Sequence, residues 1–435
     1  MRHHDGRLGR KVEHRMLTTE EALGALDELS HLEDVKLRWD ESMSFFPQEP
    51  PRFLAPANIR AYMQWGGLDE TLAPAIESVA RKIAATPSLC QLAWHACWRV
   101  FDSPQEAPLK DWPALEKSLG RDSGVFYVLV ALDLVPRLRA AHVALGIPAR
   151  ITRDTCRQIW SFTDNFRRAQ NGRIGMFQRQ LSWMRNYAHA PLFRIGRLEF
   201  WLRPFRGDIS VYRNRFTHDT VAMAGDRQKF TPNGFQDRSA QDAPLKHGEW
   251  ISRMVADGKT VTGHPVSPYG RGVNREMTLP LDAWQAVLRS GDTILDLHIP
   301  AGGNLSLEAC ADSFRSAPVF FKRYFPGPEP KAITCYSWIF SPLLEEFLPP
   351  DANLVRLLRE LYLTPVPCDP DDGLWFIFFQ DKFDLATAPC ESRLQRAMHA
   401  YLAAGNRWRA GSMFLLLDDI PRFGTQHYRQ HWPLP

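Results

Sequence analysis

The segment Gly291–Phe314, GDTILDLHIPAGGNLSLEACADSF, gathers the residue types from which chemistry could be built. Thr293–Ile299 reads as a strand, and period-2 alternation sets Asp296 and His298 on one face, about 7 Å apart. Leu295, Leu297 and Ile299 take the other face. Two ionisable groups on a strand otherwise made of Ile and Leu are costly to bury without partners. A histidine at a strand's end can act as a general base near neutral pH; the alternative is a structural His298 bonded to neighbouring backbone. The strand runs into the loop Ala301–Ser306, which opens a helix at Leu307. The first N–H groups of a helix lack internal partners and, with the helix dipole, suit an anion such as phosphate. Gly302 and Gly303 remove side chains that would hold a ligand off the backbone, and Ser306 is placed to cap the helix. Glu308, in the first turn, works against an anion. The competing reading is a tight strand-to-helix connection with no ligand.

Other nucleophiles are less well placed. Cys310 falls on the apolar stripe of the helix that follows the loop, the setting of a buried, inert thiol. In AITCYSWIF (Ala332–Phe340), Cys335 and Ser337 share one strand face, and Thr334, Tyr336 and Trp338 the other. Cys335 or Ser337 with His298 would make a hydrolase, with sheet packing as the plainer expectation. His95, His142 and His189 each stand alone among apolar or basic residues and read as structural. No nucleophile elbow, P-loop, dinucleotide fingerprint or zinc-ligand pair occurs, so no metal is expected. The seven cysteines are scattered without a CxxC, as expected of reduced thiols and a cytoplasmic protein.

The elements that must position these residues fall into two halves. The chain has 435 residues, 44% hydrophobic and 23% charged, enough for two or three domains. Its net charge of +4 is spread along the chain, which excludes the clustered basic face of a nucleic-acid binder. No run approaches the ~18 apolar residues of a membrane span. Residues 1–16 are basic without an apolar core and are expected to be a disordered extension. Residues 17–190 read as helices, among them Val125–Leu145 and Thr152–Gln170. Residues 191–435 change character. RIGRLEFWLRPF (Arg194–Phe205) alternates as a strand, Gly207–His247 gives no clear pattern, and Leu281–Leu288 reads as a short helix. Strand Thr293–Ile299 is followed by a helical stripe, Leu307 to Phe325, which Pro318 should kink or break. Strand Ala332–Phe340, a helix through Leu354–Tyr362, strand Leu374–Gln380, a helix stopped at Gly405 and strand Met413–Leu417 complete the pattern. The fold class is α+β: an all-helical N-terminal domain, then a mixed α/β sheet domain.

FRIGRLEF (Phe193–Phe200), GHPVSPYGRG (Gly263–Gly272), AWQAVLRSGDTILDLHIPAGGNLSLEACADSF (Ala283–Phe314), FFKRYFP (Phe320–Pro326) and CYSWIFSP (Cys335–Pro342) occur in this order. Together they resemble a bacterial acyltransferase family that joins a helical N-terminal domain to a GNAT-like C-terminal domain. The resemblance implies an acyl-CoA co-substrate whose pantetheine runs along Thr293–Ile299 and whose pyrophosphate meets the next loop. Leu297, Ile299, Gly302, Gly303, Asn304 and Ser306 are then the cofactor-binding positions. The loop carries neither Arg nor Gln at its start, where the family's Arg/Gln-x-x-Gly-x-Gly/Ala pattern has one. For acyl transfer to an amine, on a small molecule or peptide, His298 is the implied base with Asp296 assisting. A tyrosine, Tyr336 or Tyr362, is the implied acid. The alternative is a catalytically inactive GNAT-like module that binds a ligand or partner protein.

Overall fold

The computed structural model describes residues 15–105, 109 and 111–434. The expected disordered extension lies, up to residue 14, outside the described residues. The chain forms two compact units: residues up to Ala144 with Cys156–His189, and Leu145–Thr155 with Ala190–Pro435.

The described residues of the first unit form helices and turns. At its centre is Ser123–Leu132, a helix apolar on every side and buried at every residue. The expected single helix Val125–Leu145 is in fact two, Ser123–Leu132 and Leu134–Ala144. Asp133, between them, is buried and receives Arg52 Nε and Arg137 Nε, each at 2.7 Å. Thr152–Gln170 likewise divides, into Ala149–Cys156, which but for Cys156 belongs to the second unit, and Gln158–Ala169 in the first. His95 is fully buried, with Nδ1 2.6 Å from Ser42 Oγ and Nε2 2.8 Å from the Val35 carbonyl. Burial lowers its pKa to about 3, so it stays neutral.

The second unit is built on a six-stranded sheet. Its strands are β1 (Leu192–Ile195), β2 (Leu198–Pro204), β3 (Thr293–His298), β4 (Ala332–Ser337), β5 (Tyr362–Thr364) and β6 (Gly411–Leu416). They lie in the order β1-β2-β3-β4-β6-β5. All neighbours are antiparallel except β3 and β4, which run parallel. The helix Leu307–Tyr324 covers one face, with Phe314 packed edge-on to Phe200 at 6.5 Å and Phe320 at 5.0 Å from Phe193. Pro318 lies inside this helix without ending it. Cys310, Phe314, Ala317 and Phe321 form a fully buried stripe, and burying that much apolar surface outweighs the ~3 kcal/mol local cost of an interior proline.

A second, five-stranded sheet takes up the first part of Gly207–His247, the stretch whose pattern is illegible in the sequence. It is formed by Arg271–Gly272, Pro265–Ser267, Thr220–Ala224, Ile209–Asn214 and Trp284–Leu288. The expected helix at Leu281–Leu288 is therefore a strand, pairing with Ile209–Asn214 through a bulge at Ala286/Leu288. The bulge sends Trp284 and Leu288 to opposite faces of the sheet, Trp284 into the cluster with Tyr212 and Leu288 into that with Val211, so the period-2 pattern of a strand is broken. The expected strand Leu374–Gln380 is a single helical turn, Leu374–Phe378, bounded by left-handed Gly373 and Phe379. An apolar run this short has no periodicity that distinguishes the two. The helix placed over Leu354–Tyr362 stops at Arg359, and Tyr362 belongs to β5.

Candidate active site

β3 and β4 pair over three residues only: Ile294 with Ala332, Leu295 with Ile333 and Asp296 with Thr334. β3 stays paired to β2 as far as His298, and β4 to β6 as far as Ser337. The two central strands thus part beyond Asp296, leaving a gap in the middle of the sheet. The ladder to β2 sets Trp201 beside Asp296 and Glu199 beside His298.

Asp296 faces away from the long helix. Its Oδ2 is 3.3 Å from Arg203 Nη1 and 3.6 Å from His298 Nε2. Arg203 in turn lies over the Trp201 ring at 4.9 Å, and that ring tilts against His298 at 6.2 Å. Burial pushes the Asp296 carboxyl up to about 6, with the Arg203 charge working against the rise. Burial, aided by the same charge, lowers His298 to about 4. Near pH 7 the pair is a carboxylate beside a neutral imidazole.

A cavity of about 300 Å³ opens on this face, and both Asp296 and Tyr336 line it. Its walls are mostly apolar, including Ile294, Phe205, Ile209, Val366 and Met413. Tyr336 is half-exposed and donates its hydroxyl proton to Asp372 Oδ2 at 2.7 Å. Burial and the Asp372 carboxylate raise the phenol above its usual value. Tyr362 stands elsewhere: fully buried, its hydroxyl donates to the Val266 carbonyl and accepts from Ala222 N–H, tying the two sheets together. Cys335 is buried and its thiol is pushed well above the usual range, while Ser337 accepts from Ile339 N–H. Cys335 lines the cavity but stays a protonated thiol there, and Ser337 is engaged with the backbone.

The loop after β3 follows the gap. Gly302 and Gly303 have φ of 78° and 73°, left-handed values that side chains rarely tolerate. Ser306 caps the helix, accepting from Ala309 N–H at 3.3 Å. Glu308 is exposed, and hydrogen bonds from its own backbone N–H and the Ser306 hydroxyl hold its carboxylate low. The first-turn donors expected to receive an anion are therefore partly occupied by these two side chains. Asn304 accepts from Asn353 Nδ2, Leu297 is buried on the helix side, and Ile299 packs against the core. The residue that reasoning from the sequence missed is Arg197, in the β1–β2 turn, whose side chain lies against Gly303. Its distance of more than a hundred residues from the loop hides this proximity.

A strand pair that parts at its centre, followed by a glycine loop and a long helix, defines a GNAT-like domain. The family of the GNAT-like C-terminal domain matches residues 192–415, and that of the N-acyltransferase N-terminal domain matches residues 57–189. The chain belongs to this family of acyltransferases. Its fold is shared by an acyltransferase in complex with decanoyl-CoA and teicoplanin, at 22% identity and a TM-score of 0.61, over 92% of this chain and 100% of that one. A mutant acyltransferase in complex with octanoyl-CoA gives 21% and 0.61, over 92% and 99%. An acyltransferase in complex with CoA and 10C-teicoplanin gives 22% and 0.60, over 92% and 100%. No curated protein matches. The described residues hold no cluster of metal-ligating side chains and no helix long and apolar enough to cross a membrane.

Proposed function

We propose that the protein transfers an acyl group from acyl-CoA to an amine on a small molecule or peptide. The observation that carries this reading is the parting of β3 and β4 directly beyond Asp296, with the glycine loop at one end and the cavity beside it. A pantetheine arm is an amide chain, and the unpaired edges of the two strands offer it backbone donors and acceptors. The thioester would then lie near Asp296. The apolar walls suit an alkyl chain, and the related acyltransferases were solved with octanoyl- and decanoyl-CoA.

In the reaction the amine nitrogen attacks the thioester carbonyl, the C–N bond forms and the C–S bond breaks. The proton leaving nitrogen passes to the Asp296 carboxylate. A base with a conjugate acid near 6 is better matched to neutral pH than an imidazole near 4. The base role thus falls to Asp296, with His298 as a positioning residue. Strand N–H groups in the gap would polarise the carbonyl. Tyr336 remains protonated and, once its hydroxyl turns from Asp372, serves the departing thiolate as a hydrogen-bond donor. Full transfer of its proton would be uphill against a thiol of pKa about 8.5.

Glu308 at the helix start favours a second reading, a GNAT-like module that binds its ligand without turnover. Thermal unfolding with free CoA, acetyl-CoA, octanoyl-CoA and decanoyl-CoA, followed by thiol release in the presence of amines, separates the two. A ligand at a hundred times its Kd stabilises by about 2.7 kcal/mol. A rise in Tm with turnover is expected. A rise without turnover supports the binding module, and no rise at millimolar ligand overturns both.

A further inference from the structure

We propose that Arg197, in the turn between β1 and β2, is the cation that binds the pyrophosphate of acyl-CoA. The inference deepens the reading above and rests on it. Three observations lead to it.

The turn is fixed in place. Arg197 N–H donates to Ser313 Oγ at 2.9 Å, and Ser313 donates to the Ala309 carbonyl at 2.9 Å, so the turn is held to the long helix. Gly196 has a φ of 67°, and a Cβ there would stand 2.7 Å from Ser313 Oγ. Only glycine allows this approach.

The guanidinium lies along the loop after β3. A Cβ on Gly303 would be 3.2 Å from Arg197 Nε and 3.5 Å from its Cδ. Yet Nε and Nη1 are shut off from solvent with no hydrogen-bond partner among the described residues. Nη1 of Arg194, three residues earlier on β1, is in the same condition. Buried charged donors are normally satisfied, and leaving them unmet is costly. Burial and the Arg194 charge lower the pKa of Arg197, while Cys310 and Glu199 offset this only in part. Glu199 stands opposite Arg194 across the hairpin, so it offsets only part of the charge of the two guanidinium groups.

The loop carries no charge of its own to meet an anion, and Arg356, near the helix start, acts on the Glu308 carboxylate. Residues 299–306 include no cation, Ala309 N–H is taken by Ser306, and Glu308 N–H by its own carboxylate. The pyrophosphate is the ligand's doubly charged group one pantetheine length from the thioester. With the thioester near Asp296 and the arm along β3, it falls at this loop. A guanidinium forks onto phosphate oxygens in two parallel hydrogen bonds.

The test measures Kd by calorimetry for octanoyl-CoA, 3′-dephospho-octanoyl-CoA and S-octanoyl-pantetheine on wild type, Arg197→Gln and Arg197→Lys. The expected result for Arg197→Gln is a weakening of about 10- to 100-fold for both nucleotide thioesters and less than twofold for the pantetheine thioester. Arg197→Lys should fall between. The unliganded Gln variant should melt no lower than wild type, since it loses an unmet charge. Wild type that binds none of the three ligands overturns the acyl-CoA reading itself. Wild type that binds, with an unchanged Gln variant or with equal losses on all three ligands, overturns the Arg197 assignment alone. A loss confined to the ligand bearing the 3′-phosphate moves the guanidinium to that group and likewise overturns it. A Gln variant that melts lower assigns Arg197 a packing role and counts against the proposal.

Discussion

Oδ2 of Asp296 stands 3.6 Å from Nε2 of His298, two residues further along the same strand, too far for a hydrogen bond but well inside ion-pair range. Both are partly buried, and desolvation moves their pKa values in opposite directions, toward the neutral form of each. The order of the two is thereby inverted relative to free side chains. The carboxyl near 6 now lies above the imidazole near 4, and in the proposed reaction the carboxylate is the base matched to neutral pH.

Asp296→Asn should lower kcat/KM by about 100- to 10,000-fold, the usual contribution of a general base. The wild-type profile should rise with pH through about 6, since the deprotonated carboxylate is the active form, and the variant should lack that limb. His298→Gln should cost less than Asp296→Asn and keep the limb. A larger loss from His298→Gln would return the base role to the imidazole.

The same shift acts on stability. Asp296 has a folded pKa above its unfolded value of 3.8, so between about pH 4 and 6 the folded state binds more protons. Stability from this group therefore falls as pH rises through that window, and the penalty is complete above it. Asp296→Asn should be more stable than wild type at pH 7.5, by about 1–3 kcal/mol. The gain should vanish near pH 4. Chemical denaturation at several pH values measures the difference, and a gain that does not change with pH would contradict the assignment.

Arg203 links the pair to the sheet. Its charge lowers the pKa of both Asp296 and His298, and its guanidinium covers Trp201. Arg203→Met keeps an apolar stem over the indole and removes the charge. The acid limb of the pH profile should then move upward, by about one unit. A limb that stays in place would mean that Asp296 is not the group it reports.

Much of this arrangement is legible in the sequence, because the strand, glycine loop and helix around residues 291–325 are contiguous. Alternation alone places Asp296 and His298 on one face, and Ser306 and the two glycines carry recognisable local chemistry. The order of the two pKa values, on which the proposed base rests, is not legible, since it depends on burial and on Arg203, contributed by β2. Nor is Arg197, which only the folding of the β1–β2 turn onto Ser313 brings to Gly303. The second sheet is hidden for another reason: its strands are short and one is bulged, so Trp284 and Leu288 are buried on opposite faces and the strand's alternation is lost. Pro318 shows the converse case, a strong local signal overridden by a buried aromatic stripe.

Thiol reactivity separates an acyltransferase from a cysteine hydrolase. Six of the seven cysteines are buried, and Cys390 is exposed. Burial pushes Cys310 up to about 11 and Cys335 well above its ordinary value, so neither offers a thiolate near pH 7. Iodoacetamide on the native protein should modify Cys390 rapidly and the other six only after denaturation, as read by intact mass. Rapid single labelling at Cys335 would point instead to nucleophilic catalysis.

The loop itself can be tested without touching a charge. Gly303 has a φ of 73°, and a methyl group there would press on Arg197 Nε at 3.2 Å. Gly303→Ala therefore incurs backbone strain, roughly 1 kcal/mol, and displaces the guanidinium. Gly327 has open space around its Cβ position and no left-handed backbone, so Gly327→Ala should be neutral or stabilising by a few tenths of a kcal/mol. The expected outcome for Gly303→Ala is a lower Tm and weaker binding of octanoyl-CoA, with S-octanoyl-pantetheine much less affected. Equal losses for the two ligands would place the effect on the pantetheine gap between β3 and β4. A variant with unchanged affinity for octanoyl-CoA would remove the loop from the binding site.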